Sequence, residues 1–112
     1  MTAIKQRVLM KSKDRIDYVF TNLCNYWNIP REDFLKRART KDRYYRKRIV
    51  VKILRDEAEV SFKEISNSFG RMGDEANTWE IYQRVSSDLD KHTFGNLELK
   101  RDYEKIKRYL QI

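Results

Sequence analysis

The chain has 112 residues, 38% charged and 40% hydrophobic, with 25 Lys/Arg against 17 Asp/Glu and a formal net charge of +8. That length allows one domain with one modest core, and no apolar run approaches the ~20 residues that a bilayer span requires. Cys24 stands alone, which excludes a disulfide framework and a cysteine-based metal site and makes a cytoplasmic protein the expectation.

Three glycines, one proline and the lack of any sustained apolar–polar alternation predict an all-α fold, a small bundle of about five to six helices. Residues 1–13, "MTAIKQRVLMKSK", read as an N-terminal extension, or, through Ile4, Val8 and Leu9, as the start of the first helix. Their apolar runs are shorter than the core of a secretion signal. The domain itself is expected over 14–112. From Asp14 the stripe Ile16, Val19, Phe20, Leu23, Cys24 and Trp27 predicts an amphipathic helix. "NIPRED" ends it and starts a short helix: Pro30 suits a first turn, Glu32 and Asp33 suit the positive end of the dipole, and Phe34 and Leu35 face the core.

"YYRKRIVVKILRDEAEV" predicts a third helix with Ile49, Val50, Ile53 and Leu54 inward. Its basic start and acidic end oppose its own dipole, a small cost that a role outside the fold would explain. The acidic "DEAE" of residues 56–59 is read as a solvated helix end. Ser61 and Glu64 form an S-x-x-E capping box, Ile65 and Phe69 face inward, and Gly70 is placed to stop the helix in a left-handed conformation. Asp74 is expected to cap the next helix, whose apolar stripe is Trp79, Tyr82, Val85 and Leu89, with Asn77, Glu80, Arg84 and Ser87 opposite. "KHTFGN" breaks the chain, and Asn96 is expected to cap a last helix carrying Leu97, Leu99, Tyr103, Ile106 and Leu110.

The charge is unevenly placed. Residues 31–55 hold 11 Lys/Arg and 3 Asp/Glu, whereas the rest of the chain holds 14 of each. A patch of that density points to a polyanion, above all nucleic acid; the plain alternative is a solvated basic face.

The ordered features from Ile16 onward resemble a known family. A helix ending in an aromatic leads to Ile29, Glu32 and Asp33, then to a basic loop and a helix of branched apolar residues. Ser61, Phe62, Glu64, Ile65, Phe69 and Gly70 follow. This succession, over roughly residues 16–110, is similar to the C-terminal DNA-binding domain of the bacterial replication initiator DnaA, a Trp-repressor-like helix-turn-helix, standing here without the ATPase domain. The resemblance implies an all-helical domain binding double-stranded DNA, with the second motif helix in the major groove. It also implies backbone contacts from the basic loop and the start of the first motif helix. On this sequence the phosphate set is Arg39, Lys41, Arg43, Tyr45 (where the family usually has arginine), Arg46, Lys47, Arg48, Phe62 and Lys63. The family's D-H-T-T run is not kept: Asp74 matches, but Glu75, Ala76 and Asn77 replace the rest. Base reading would then fall to Asn77 on adenine, to Arg71 or Arg84 on guanine, and to Thr78.

No phosphate-binding G-x-x-x-x-G-K-[ST] loop is present. His92, the sole histidine, has no companion for a metal or a triad, so no enzymatic activity, cofactor or small-molecule substrate is expected. Tyr44 and Tyr45 read as packing or stacking at a basic surface, and Trp27, Trp79 and Cys24 as core. Two functions follow from these residues. One is a double-stranded DNA-binding module, a replication or transcription accessory of a bacterium, phage or mobile element. The other is a protein-interaction module of the same fold that has lost base reading and engages an acidic or replication protein.

Overall fold

The computed structural model describes residues 11–37, 39–91 and 94–111. Among the described residues five α-helices run in order: α1 (Ser12–Trp27), α2 (Lys41–Asp56), α3 (Phe62–Ser68), α4 (Glu75–Asp90) and α5 (Phe94–Leu110). Two 3-10 turns intervene, Arg31–Leu35 before α2 and Gly70–Met72 before α4. Among the described residues there is no strand, and no helix is long and apolar enough to cross a membrane. Ile4, Val8, Leu9 and His92 lie outside the described residues.

Helix boundaries follow local chemistry. At the end of α1, Asn28 adopts the left-handed conformation (φ 56°), and the Ile29 N–H reaches back to the Cys24 carbonyl at 3.0 Å. This closes the helix as a glycine cap would. Helix α2 starts three residues before the apolar pattern does, because the Thr40 hydroxyl accepts the Arg43 N–H at 3.1 Å. It stops at Asp56, yet Ala58 and Val60 beyond it are buried. The "DEAE" end is therefore not simply solvated. Asp56 takes the Tyr82 hydroxyl at 2.6 Å and Lys52 at 2.5 Å, and Glu57 faces Lys107 at 4.0 Å.

The core forms around Phe20 of α1. Phe34 and Phe69 meet its ring edge-on, with centroids 5.3 and 5.6 Å away. Ile49, Val50, Ile53 and Leu54 of α2 enter as the pattern predicted, joined by Val51. Ile16, Val19, Leu23 and Cys24 of α1 are buried as expected, and Ile65, Ile81, Val85, Leu99, Tyr103, Ile106 and Leu110 also line the interior. Several expectations are corrected. Leu35 is 49% exposed, since the 3-10 turn rotates it away from the side that seats Phe34. Trp79 is 52% exposed because α4 turns Thr78, Ile81 and Val85 fully inward, with Tyr82 and Leu89 packed at the edge of the core. Asp74 occupies the N-cap position of α4 but makes no side-chain cap bond. Asn96 lies inside α5, which begins two residues earlier.

Candidate nucleic-acid interface

The connection between α3 and α4 is built on two glycines and a pair of hydroxyls. The Ser61 hydroxyl accepts the Glu64 N–H at 3.2 Å and starts α3. It also lies 3.1 Å from the Glu64 carboxylate, so the capping box is closed side chain to side chain. Gly70 takes φ +60°, where an L side chain is strained. Gly73 is required by proximity: a Cβ there would lie 1.6 Å from the Ser66 carbonyl oxygen. Behind this turn the Ser66 and Thr78 hydroxyls are 2.8 Å apart, and Ser66 Oγ is also 2.8 Å from the Phe62 carbonyl. A hydroxyl has one proton to give. With Ser66 donating to the carbonyl, Thr78 donates to Ser66.

That bond corrects one expectation. Thr78, only 1% exposed, is part of the α3–α4 contact and does not stand on the outer face with the candidate base-reading residues. Asn77 and Arg84, one on either side of it in sequence, are exposed, as is Arg71 in the turn.

Helix α4 is fixed to α2 by polar ties along its length. Arg48 pairs with Asp88 at 3.0 Å, Lys52 donates to Ser86 at 2.9 Å, and Tyr82 donates to Asp56. The Arg48 guanidinium also lies over the Tyr44 and Tyr45 rings at 5.3 and 5.7 Å. The Tyr45 hydroxyl donates to Asp102 of α5, and burial, together with that carboxylate, pushes its pKa well above the usual phenol range. The Phe62 ring meets Tyr82 edge-on at 5.3 Å and carries Arg55 over its face at 4.5 Å. Tyr45, Arg48 and Phe62, expected at phosphates, thus have partners inside the fold.

The two helices leave a pocket of 380 Å³ between the residue 36–40 loop, the start of α2, the Gly70–Met72 turn and α4. Four cations converge on it: Arg37, Lys47, Arg71 and Arg84. Tyr44, Asn77 and Glu80 share the lining. Lys47 is 8% exposed with its ammonium 4.9 Å from the Phe69 ring, and burial lowers its pKa. An anion in the pocket would favour the charged form again. The one carboxylate, Glu80, is held by Arg84 at 2.8 Å. A second groove of 470 Å³ shares Tyr44 and Arg84 and continues along α4 to Lys91. Arg39, Lys41 and Lys63 are exposed, Arg43 and Arg46 are partly so, and none of these five has an ion pair among the described residues.

Sequence reasoning missed Arg37 and gave Tyr44 only a packing or stacking role at a basic surface. Arg37 lay inside the basic window, but no helical spacing relates a loop residue to a helix thirty-odd residues later. Among the described residues no cluster of His, Cys, Asp and Glu could hold a metal ion.

No family model matches the chain. Along nearly its whole length it is similar to the chromosomal replication initiator protein DnaA. It is 26% identical over 108 residues to that protein of Thermoanaerobacter sp. (strain X514), covering 96% of this chain and 24% of the relative. The same figures hold for DnaA of Thermoanaerobacter pseudethanolicus. DnaA of Caldanaerobacter subterraneus subsp. tengcongensis is 26% identical over 110 residues, 97% of this chain and 24% of the relative. The chain spans about a quarter of the length of the curated relatives it matches. No solved structure matches it.

Proposed function

We propose that this chain is a double-stranded DNA-binding module of the helix-turn-helix kind. Helix α4 is the element offered to the major groove, and α3 with its glycine turn sets its angle. The exposed cations of residues 37–46 and Lys63 meet phosphates, which supplies affinity without sequence information. Asn77, Arg71 and Arg84 are the candidates for base edges.

The observation that carries this reading is the pocket that places Arg37, Lys47, Arg71 and Arg84 beside Asn77. Two cations from residues 37–47 and two from residues 71–84 share one concave face with the Asn77 amide. The likeness to a chromosomal replication initiator protein supports it, and suggests replication as the process it serves.

Duplex binding at two salt concentrations, followed by enrichment from a randomised duplex pool, tests the reading. The expected result is binding that weakens steeply with salt, with log K falling by about 0.9 per phosphate neutralised against log salt, and an enriched box. No binding even at low salt would overturn it. Salt-dependent binding without an enriched box would leave an electrostatic clamp and remove the base-reading part.

A further inference from the structure

Trp79 is the largest exposed apolar side chain of α4, 52% accessible in the helix's second turn. No aromatic or cation–π partner engages it among the described residues. Its neighbours on the outer face, Ala76, Glu80 and Gln83, are exposed as well. Around the helix axis Trp79 and Asn77 stand about 160° apart, on opposite flanks of that face. Asn77's flank borders the basic pocket. The flank of Trp79 adjoins Tyr82, which packs on Phe62 in the first turn of α3, where Lys63 is also exposed.

Exposed cations therefore lie on both flanks of the outer face of α4: Lys63 beside Phe62 on the Trp79 flank, and Arg71 and Arg84 at the pocket on the Asn77 flank. A partner that covers it must be anionic at the edges and apolar in the middle. A duplex major groove has that character at a thymine, whose 5-methyl is the one apolar group displayed among the base edges. We infer that Trp79 is a specificity-determining residue that packs on a thymine methyl in the major groove. The inference rests on the DNA-binding reading, and adds to it a methyl-dependent contact that none of the polar residues would supply.

The test uses the duplex that the full chain enriches from a randomised pool, with each thymine replaced in turn by uracil, which lacks only the methyl. At one position the replacement is expected to weaken binding about fourfold, the effect of removing one buried methyl-sized group. In W79A the thymine and uracil duplexes should bind alike at that position, while affinity for the other substitutions changes as in the parent. Because the side chain is exposed, W79A is expected to keep its helical circular dichroism. In W27F, which leaves Trp79 as the sole tryptophan, fluorescence should change on addition of the thymine duplex. Equal binding of all uracil duplexes by the parent, or an enriched duplex without thymine, overturns the inference and leaves the DNA-binding reading standing. A thymine–uracil difference that persists in W79A does the same. Absence of any duplex binding overturns both.

Discussion

Apart from Lys47, which is buried with its ammonium over the Phe69 ring, the basic window of residues 31–55 divides into two kinds of cation. Arg31, Lys36, Arg48 and Lys52 are ion-paired to Asp17, Asp33, Asp88 and Asp56, and Arg55 lies over the Phe62 ring. Arg37, Arg39, Lys41, Arg43 and Arg46, in the loop and the first turns of α2, have no such partner among the described residues. Arg31, Arg48, Lys52 and Arg55 tie neighbouring elements together, Lys36 pairs only with the turn three residues before it, and the second group faces outward. A run of like charges in sequence thus carries two physical roles, and the neighbours supplied by distant helices decide which residue has which.

Reversing the outward group should give the largest effect. R39E, K41E, R43E and R46E combined are expected to lower duplex affinity by at least about a hundredfold near physiological salt. The slope of log K against log salt should flatten by about 0.9 for each phosphate no longer neutralised. The helical circular dichroism should be retained, since none of these side chains is buried. If affinity were unchanged, the division between the two groups would have no functional meaning, and the phosphate surface would have to lie elsewhere.

The inward group should show the opposite profile. The Arg48–Asp88 pair is 18% and 30% exposed, so solvent weakens it but does not reduce it to a surface contact. R48M keeps the aliphatic stem over Tyr44 and Tyr45 while removing the charge. It is expected to cost about 1–2 kcal/mol, lowering Tm by roughly 5–10 °C. Duplex affinity, measured well below that Tm, should change little. A large loss of affinity with unchanged Tm would instead move Arg48 into the outward group.

The same contrast shows what could be read from sequence. The all-helical fold, the inward faces of α1 and α2, the Ser61 cap and the left-handed Gly70 were legible, because each depends on spacing within one segment. Gly73 was not, since its need arises from a carbonyl on α3 that the turn brings against it. The inward face of α4 was legible only in part. Of the expected stripe Trp79, Tyr82, Val85 and Leu89, Val85 is buried and Tyr82 and Leu89 pack against the core, but Trp79 is exposed and Thr78, whose hydroxyl is satisfied by Ser66, is buried. A hydrogen bond between two segments lets a polar residue replace an apolar one in the core, and residue-type patterning cannot see it. For the candidate site, the basic window was visible, but Arg37's place beside α4 depends on packing.

The acids at the start of α4 supply the finest test. Glu75 lies in the first turn, where the helix dipole favours a negative charge. Glu80 has no such reason; it spans one turn to Arg84 at 2.8 Å, with the two side chains 52% and 64% exposed. A pair so exposed adds only about 0.3–0.5 kcal/mol to the helix, so E80Q should leave Tm almost unmoved. At the DNA surface its effect is electrostatic: one negative charge leaves the basic face, and Arg84 is released from its partner. Duplex affinity is therefore expected to rise by about two- to fivefold at low salt, a gain that shrinks as the Debye length falls towards ~8 Å at physiological ionic strength. The rise should be similar for every duplex, because removing a repelling charge carries no base information. A loss of affinity confined to one G·C position of the enriched duplex would mean that Glu80 accepts from a cytosine amino group. The carboxylate would then be a reader, and the outward face of α4 would discriminate bases through a negative charge as well as through its cations.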